Sequence, residues 1–183
     1  MTIDFRQYYD LEAYLFETVR SKFHQEGFLT AFDFFCIVIW KANRAKTLIA
    51  RKLLSRGYAS MDESVKELTS KLFHQQGEKE RLRYLFEDWG FYLPMASAIL
   101  TVLYPDQFTI YDYRVCNTLG KFHNLGNISK FENLWNGYQE FKRAVEITSP
   151  KDFDLRDKDR FLVGKSFYED LLNDIRRDFK KQN

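Results

Sequence analysis

The chain has 183 residues, of which 45% are apolar and 30% charged, with a formal net charge of +2. That length fits one domain or two small lobes and is ample to bury a core. The near balance of charge excludes a histone-like basic protein, so any footprint for nucleic acid must be local. No apolar run reaches the length of a membrane span, and the opening MTIDFRQYYD reads as neither a signal nor a transit peptide. Cys36 and Cys116 stand alone in apolar helical contexts without metal-ligand spacing, which points to a reducing compartment. A cytoplasmic protein with no cofactor and no metal is the expectation, and the chain leaves its oligomeric state open.

There are only three prolines, Pro94, Pro105 and Pro150, and long runs follow a 3.6-residue period, so the chain reads as all-α. Leu11 to Phe23 forms a first helix. Thr30 to Ser55 is the longest helical pattern, with Phe32, Phe35, Ile39, Ala42, Ile49 and Leu53 on one stripe. Lys41, Arg44, Arg51, Lys52 and Arg56 fall on the other side beside Trp40, giving a basic face that is either solvated or phosphate-contacting. Lys46 lies on the apolar side by helical angle, where it would snorkel or point into a cleft. Ser60 with Glu63 is a capping box for the next helix, which Gly77 interrupts. Glu78 to Asp88 is a further helix with Lys79, Arg81 and Arg83 on its flank.

Gly90 to Gly120 carries the most information. Gly90 ends a helix. Pro94 suits the first position of the next, a small apolar helix to Leu103. Pro105-Asp106-Gln107 breaks it, Phe108 to Tyr111 is extended, and Asp112 is a strong N-cap for Tyr113 to Leu119. A loop covers residues 121–127. Ser129 to Ile147 is helical, and a last helix runs from Asp154 to Lys180, with Gly164 the point at which it would break. The aromatic share, 17%, with 18 Phe and 11 Tyr, supplies a core and could also supply stacking surfaces. His24, His74 and His123 have no partners at metal spacing, and no phosphate-binding loop or nucleophile elbow is present.

The stretch GFYLPMASAILTVLYPDQFTIYDYRVCNTLG resembles the core of the helix-hairpin-helix DNA glycosylase superfamily of base-excision repair. In that family a glycine-rich hairpin leads into an apolar helix, a proline-containing linker follows, and a catalytic aspartate opens the next helix. The resemblance places the aspartate at Asp112 and the hairpin at Gly90-Phe91-Tyr92, with Tyr92 where a second glycine is expected. Pro94 stands where some members carry a nucleophilic lysine, so a lyase reaction from that position is excluded. The resemblance implies an all-α fold of two helical lobes around a cleft, one lobe of residues 58–110 and the other of 1–57 with 111–183. It implies monofunctional hydrolysis of the N-glycosidic bond of a flipped base, with Asp112 as the carboxylate. Gly90, Phe91, Tyr92, Arg114, Lys41, Arg44 and Lys46 would contact nucleic acid, DNA before RNA, and Trp89, Tyr111 and Tyr113 would wall a base pocket. The alternative is a non-catalytic helical protein that keeps the fold and binds nucleic acid or a protein partner. In that case Asp112 is an N-cap and nothing more.

Overall fold

In the computed structural model, which describes residues 4–180, the fold is all-α, and no strand occurs among the described residues. Side-chain caps start five of the ten α-helices among the described residues. Asp10 accepts the Ala13 N–H and opens α1 (Leu11–Ala13), which continues through a π-helical segment (Tyr14–Val19) into α2 (Arg20–Glu26). Gly27, at φ 77°, ends that rod in the left-handed conformation that glycine adopts without a Cβ penalty.

Thr30 caps α3 (Ala31–Ala42) through the Asp33 N–H. The single long helix expected from Thr30 to Ser55 is two: the backbone turns at Ala42, passes through a 3₁₀ turn (Asn43–Ala45) and restarts as α4 (Lys46–Leu54). The buried face of α3 also differs from the expected stripe. Phe34, Ile37 and Val38 are buried, while Phe32 is exposed. Residues 31–39 are apolar on nearly every side, so periodicity alone cannot choose a face; Asp33 decides it. Its buried carboxylate accepts from Tyr14 Oη at 2.6 Å and pairs with Lys22 at 3.3 Å, which turns that side inward.

The capping box forms: Ser60 accepts the Glu63 N–H, and Glu63 reaches back to the Ala59 N–H, one residue before the cap, at the head of α5 (Met61–His74). Next, α6 (Gly77–Arg83) runs into a second π-helical segment (Tyr84–Asp88). Helix α7 (Leu93–Leu103) is the hub of the molecule. Ten of its residues are buried, against α2, α3 and α6, and only small and aliphatic side chains could be enclosed on so many sides. Helix α8 (Tyr113–Leu119) follows the linker, then α9 (Phe131–Thr148) and α10 (Leu155–Arg176). Gly164 does not break α10, which is continuous through it. One contiguous apolar core runs through the molecule, with Tyr138, Phe23, Phe34 and Phe108 among its largest fully buried side chains. No helix among the described residues is long and apolar enough to cross a membrane.

Candidate functional site

The linker between α7 and α8 fixes the position of Asp112. Phe108, Thr109, Ile110 and Tyr111 are all buried, so their backbone groups need partners inside the protein. Tyr138 of α9 supplies two: its hydroxyl accepts the Thr109 N–H at 3.1 Å and donates to the Thr109 carbonyl at 2.7 Å. Ser97 of α7 supplies a third, its hydroxyl accepting the Tyr111 N–H at 3.0 Å. An extended segment is thus fastened to α7 and α9 without joining a sheet, and it delivers Asp112 to the start of α8.

Asp112 Oδ1 accepts the Arg114 N–H at 3.0 Å, which is the expected N-cap, and Oδ2 accepts from Lys41 Nζ at 2.5 Å. Burial pushes the carboxyl up, but the Lys41 ammonium, the Arg114 N–H and the Arg114 guanidinium outweigh it and hold the group below the usual carboxylate range. Asp112 is therefore ionised at neutral pH. Its side chain keeps about a third of its surface exposed.

That exposed side meets a cavity of about 450 Å³, within the size range of small-molecule sites. Its wall includes Trp40 and Lys41 from α3, Asp112 and Arg114 from α8, and Glu12 from α1. The remaining wall is one face of α10: Arg156, Asp159, Arg160, Val163 and Gly164, spaced by helical threes and fours. Of the segment 58–110, only Ile110 takes part.

Arg156 organises the floor. Its guanidinium lies over the rings of Phe16 and Trp40, at 4.8 and 5.4 Å from their centroids. It donates to Glu12 at 2.6 Å and to Asp159 Oδ2. Arg160 reaches the same Glu12 oxygen at 2.8 Å. Burial would raise the Glu12 carboxyl, but Arg156 and Arg160 hold it below its ordinary value. Asp159 goes the other way. It is almost wholly buried, and burial together with the nearby Asp112 charge pushes it up to about 6 against the pull of Arg156 and Lys41. Two carboxyls on one wall, Asp112 and Asp159, thus have their affinities for protons driven apart.

The other residues singled out from the sequence lie elsewhere. Trp89 is buried, with the Arg56 guanidinium over its ring at 4.7 Å, and does not line the cavity. Tyr111 is buried too; its hydroxyl donates toward the Phe122 and His123 carbonyls and accepts the Gly126 N–H. It faces a second cavity, shared with Tyr92, Pro94 and His123. Tyr113 is exposed and meets His123 edge-on. These three aromatics do not share one pocket.

At the hairpin, Gly90 takes φ +64° and its carbonyl accepts from Lys52 Nζ at 2.7 Å. Phe91 is buried and its N–H is spent on the Leu85 carbonyl at 2.9 Å. Tyr92 is exposed at φ −66°, so the chain requires no glycine there. Arg44 and Lys46 are exposed around the break between α3 and α4, away from the cavity, and the break removes the reason for placing Lys46 on an apolar side.

Glu12, Arg156, Asp159 and Arg160 were not singled out from the sequence. The 156, 159, 160, 163, 164 spacing of one α10 face is the signal that could have drawn attention to them, although nothing local ties that face to Glu12. No protein-family model matches this sequence, and neither a curated protein nor a solved structure matches it. The resemblance to glycosylases therefore stands on the Gly90–Gly120 stretch.

Proposed function

We propose that this chain is a DNA glycosylase-like protein that hydrolyses an N-glycosidic bond, with Asp112 as the carboxylate beside the reacting sugar. One observation carries the reading: Asp112 caps α8 with one oxygen, yet it remains ionised and partly exposed on the wall of a cavity large enough for a base. In such a reaction the C–N bond breaks and its electron pair leaves with the base, which takes up a proton. The sugar becomes oxocarbenium-like. A fixed carboxylate stabilises that cation and orients the water that adds to the anomeric carbon. Lys41 keeps Asp112 charged before substrate arrives. The two-lobed arrangement with a central cleft belongs to this reading, and here the cavity draws almost wholly on the terminal segments.

A specific observation supports the alternative, a non-catalytic helical protein that binds nucleic acid or another protein. Both Asp112 oxygens already have partners, Arg114 N–H and Lys41, as a purely structural residue would. Asp112→Asn separates the two readings. Asn caps about as well as Asp and carries no charge. Under the glycosylase reading, wild type releases a base from some member of a panel of damaged or modified duplexes, and Asp112→Asn abolishes release while folding is kept. Release by the variant at the wild-type rate, or no release by wild type from any duplex, would overturn the hydrolase.

A further inference from the structure

A third hollow adjoins the first cavity and shares Glu12 and Trp40 with it. It measures about 460 Å³ and is lined by Tyr8, Tyr9, Asp10, Leu11, Glu12 and Trp40. Half of that wall is aromatic, and its only charged side chains are acids, whereas the first cavity mixes both signs.

Two of the rings are set in place by packing. Tyr8 closes a 3₁₀ turn (Phe5–Tyr8) and meets Tyr14 and Phe32 at 5.1 and 5.3 Å between centroids. Trp40 meets Phe16 at 5.8 Å and also the Arg156 guanidinium. Tyr9 is different. It is 96% exposed, so the core does not hold it, and folding over a ligand would cost it only rotamer freedom.

The acids keep oxygens in reserve. Asp10 Oδ1 accepts the Ala13 N–H, while Oδ2 has no donor and Asp10 no cation among the described residues. Glu12 holds both Arg156 and Arg160 through Oε1, at 2.6 and 2.8 Å. Its Oε2 has no donor among the described residues, and about a third of the side chain is exposed.

This wall selects a cation, since two carboxylates without a lining cation repel phosphate. It also selects the kind of cation. A primary ammonium is compact and strongly hydrated and gains little from ring surface. A quaternary ammonium spreads its charge over methyl groups that shed water readily, so it gains from aromatic faces and from carboxylates at longer range. We propose that this hollow binds a quaternary ammonium group, with Tyr8, Tyr9 and Trp40 around the methyl groups and Asp10 and Glu12 supplying the negative charge. The assignment goes beyond the hydrolase reading and does not depend on it.

Titration of the whole protein with choline, followed by proton NMR of the ligand, tests it. The control is the neutral isostere of choline, which carries a tert-butyl group in place of trimethylammonium. Choline is expected to bind about 3- to 30-fold more tightly than the isostere, the range for one cation against aromatic faces. Its methyl resonance should move upfield, because protons over a ring face are shielded. Asp10→Asn keeps the cap and removes the charge, so it should weaken choline and leave the isostere unchanged. Tyr9→Ala touches no packing and should weaken choline, whereas Tyr9→Phe should bind as wild type does.

Equal affinity for choline and the isostere would mean an apolar hollow only and overturns the proposal. So does the absence of choline binding to wild type, or choline binding that neither Asp10→Asn nor Tyr9→Ala changes. A short peptide bearing one trimethyllysine identifies the source of the cation. Tighter binding of that peptide than of choline means a methylated protein, and binding no tighter than choline means a free small molecule.

Discussion

At the scale of single residues, Asp159 ties stability to pH. Its folded-state affinity for protons is raised, to about 6, above the ordinary carboxylate value of about 3.9. The folded protein therefore keeps a proton that the unfolded chain has released. Stability gains from this group as pH falls from about 7 toward 4, and the charge is unfavourable above about 6. Asp112 and Glu12 have lowered values and act in the opposite sense: their contribution is present above the ordinary carboxylate range and is lost as pH falls below about 4. The expected outcome is a stability maximum near pH 5, measured by urea unfolding across pH 3 to 8. Asp159→Asn mimics the protonated side chain, so it should raise stability at pH 8 by roughly 2 kcal/mol and remove most of the slope between pH 5 and 7. A wild-type profile flat over that interval would show that Asp159 is not held as a strained anion.

At the scale of elements, the linker is the piece that sets the site, and Tyr138 is its main fastening. Tyr138→Phe leaves the Thr109 N–H and carbonyl both without their buried partner. It should cost about 2–4 kcal/mol by thermal or urea unfolding, and amide exchange should quicken at residues 108–112 before it quickens in α7. A loss under about 0.5 kcal/mol would mean that the linker holds by packing alone. Helix α10 offers the converse change. Gly164→Ala replaces a glycine in mid-helix where the new methyl meets nothing, and it should stabilise by about 0.5–1 kcal/mol. The elements themselves were largely legible in the sequence, because capping chemistry is local. Thr30, Ser60, Asp112 and Asp154 each cap the helix expected after them. The break after Ala42 and the two π-helical segments were not legible, since no proline or glycine marks them and tertiary packing sets them. The site was half legible. Asp112 announces itself as a cap after an extended run, and Lys41 stood out on its helix face. Glu12 and Arg156 meet across 144 positions of chain, and no local pattern encodes such a contact.

At the scale of the whole molecule, charge decides how this protein would meet a nucleic acid. The basic faces seen in the sequence are mostly neutralised by the fold. Lys41 pairs with Asp112, and Lys79 and Arg83 share Glu132 at 2.8 and 2.9 Å. Lys52 and Arg56 are turned onto the Gly90 and Asp88 carbonyls, where they complement the C-terminal end of the helix before the hairpin. Among the described residues of that basic region, Arg44, Lys46 and Arg51 form no ion pair and are exposed. Each phosphate contact contributes close to one to the slope of log affinity against log salt. Three such cations predict a slope no steeper than about −3, far shallower than that of a protein making six to ten contacts. Fluorescence anisotropy with a short duplex between ~50 and ~200 mM salt measures it. Changing Arg44, Lys46 and Arg51 together to Gln should flatten the slope toward zero. Changing Lys79 and Arg83 should leave it nearly unaltered, because Glu132 already holds both. A wild-type slope steeper than about −6 would mean that cations beyond these three reach phosphate, either from opened ion pairs or from other exposed residues such as Lys121, Lys130 and Arg143. A triple variant that keeps the wild-type slope would place the nucleic-acid contact on another surface.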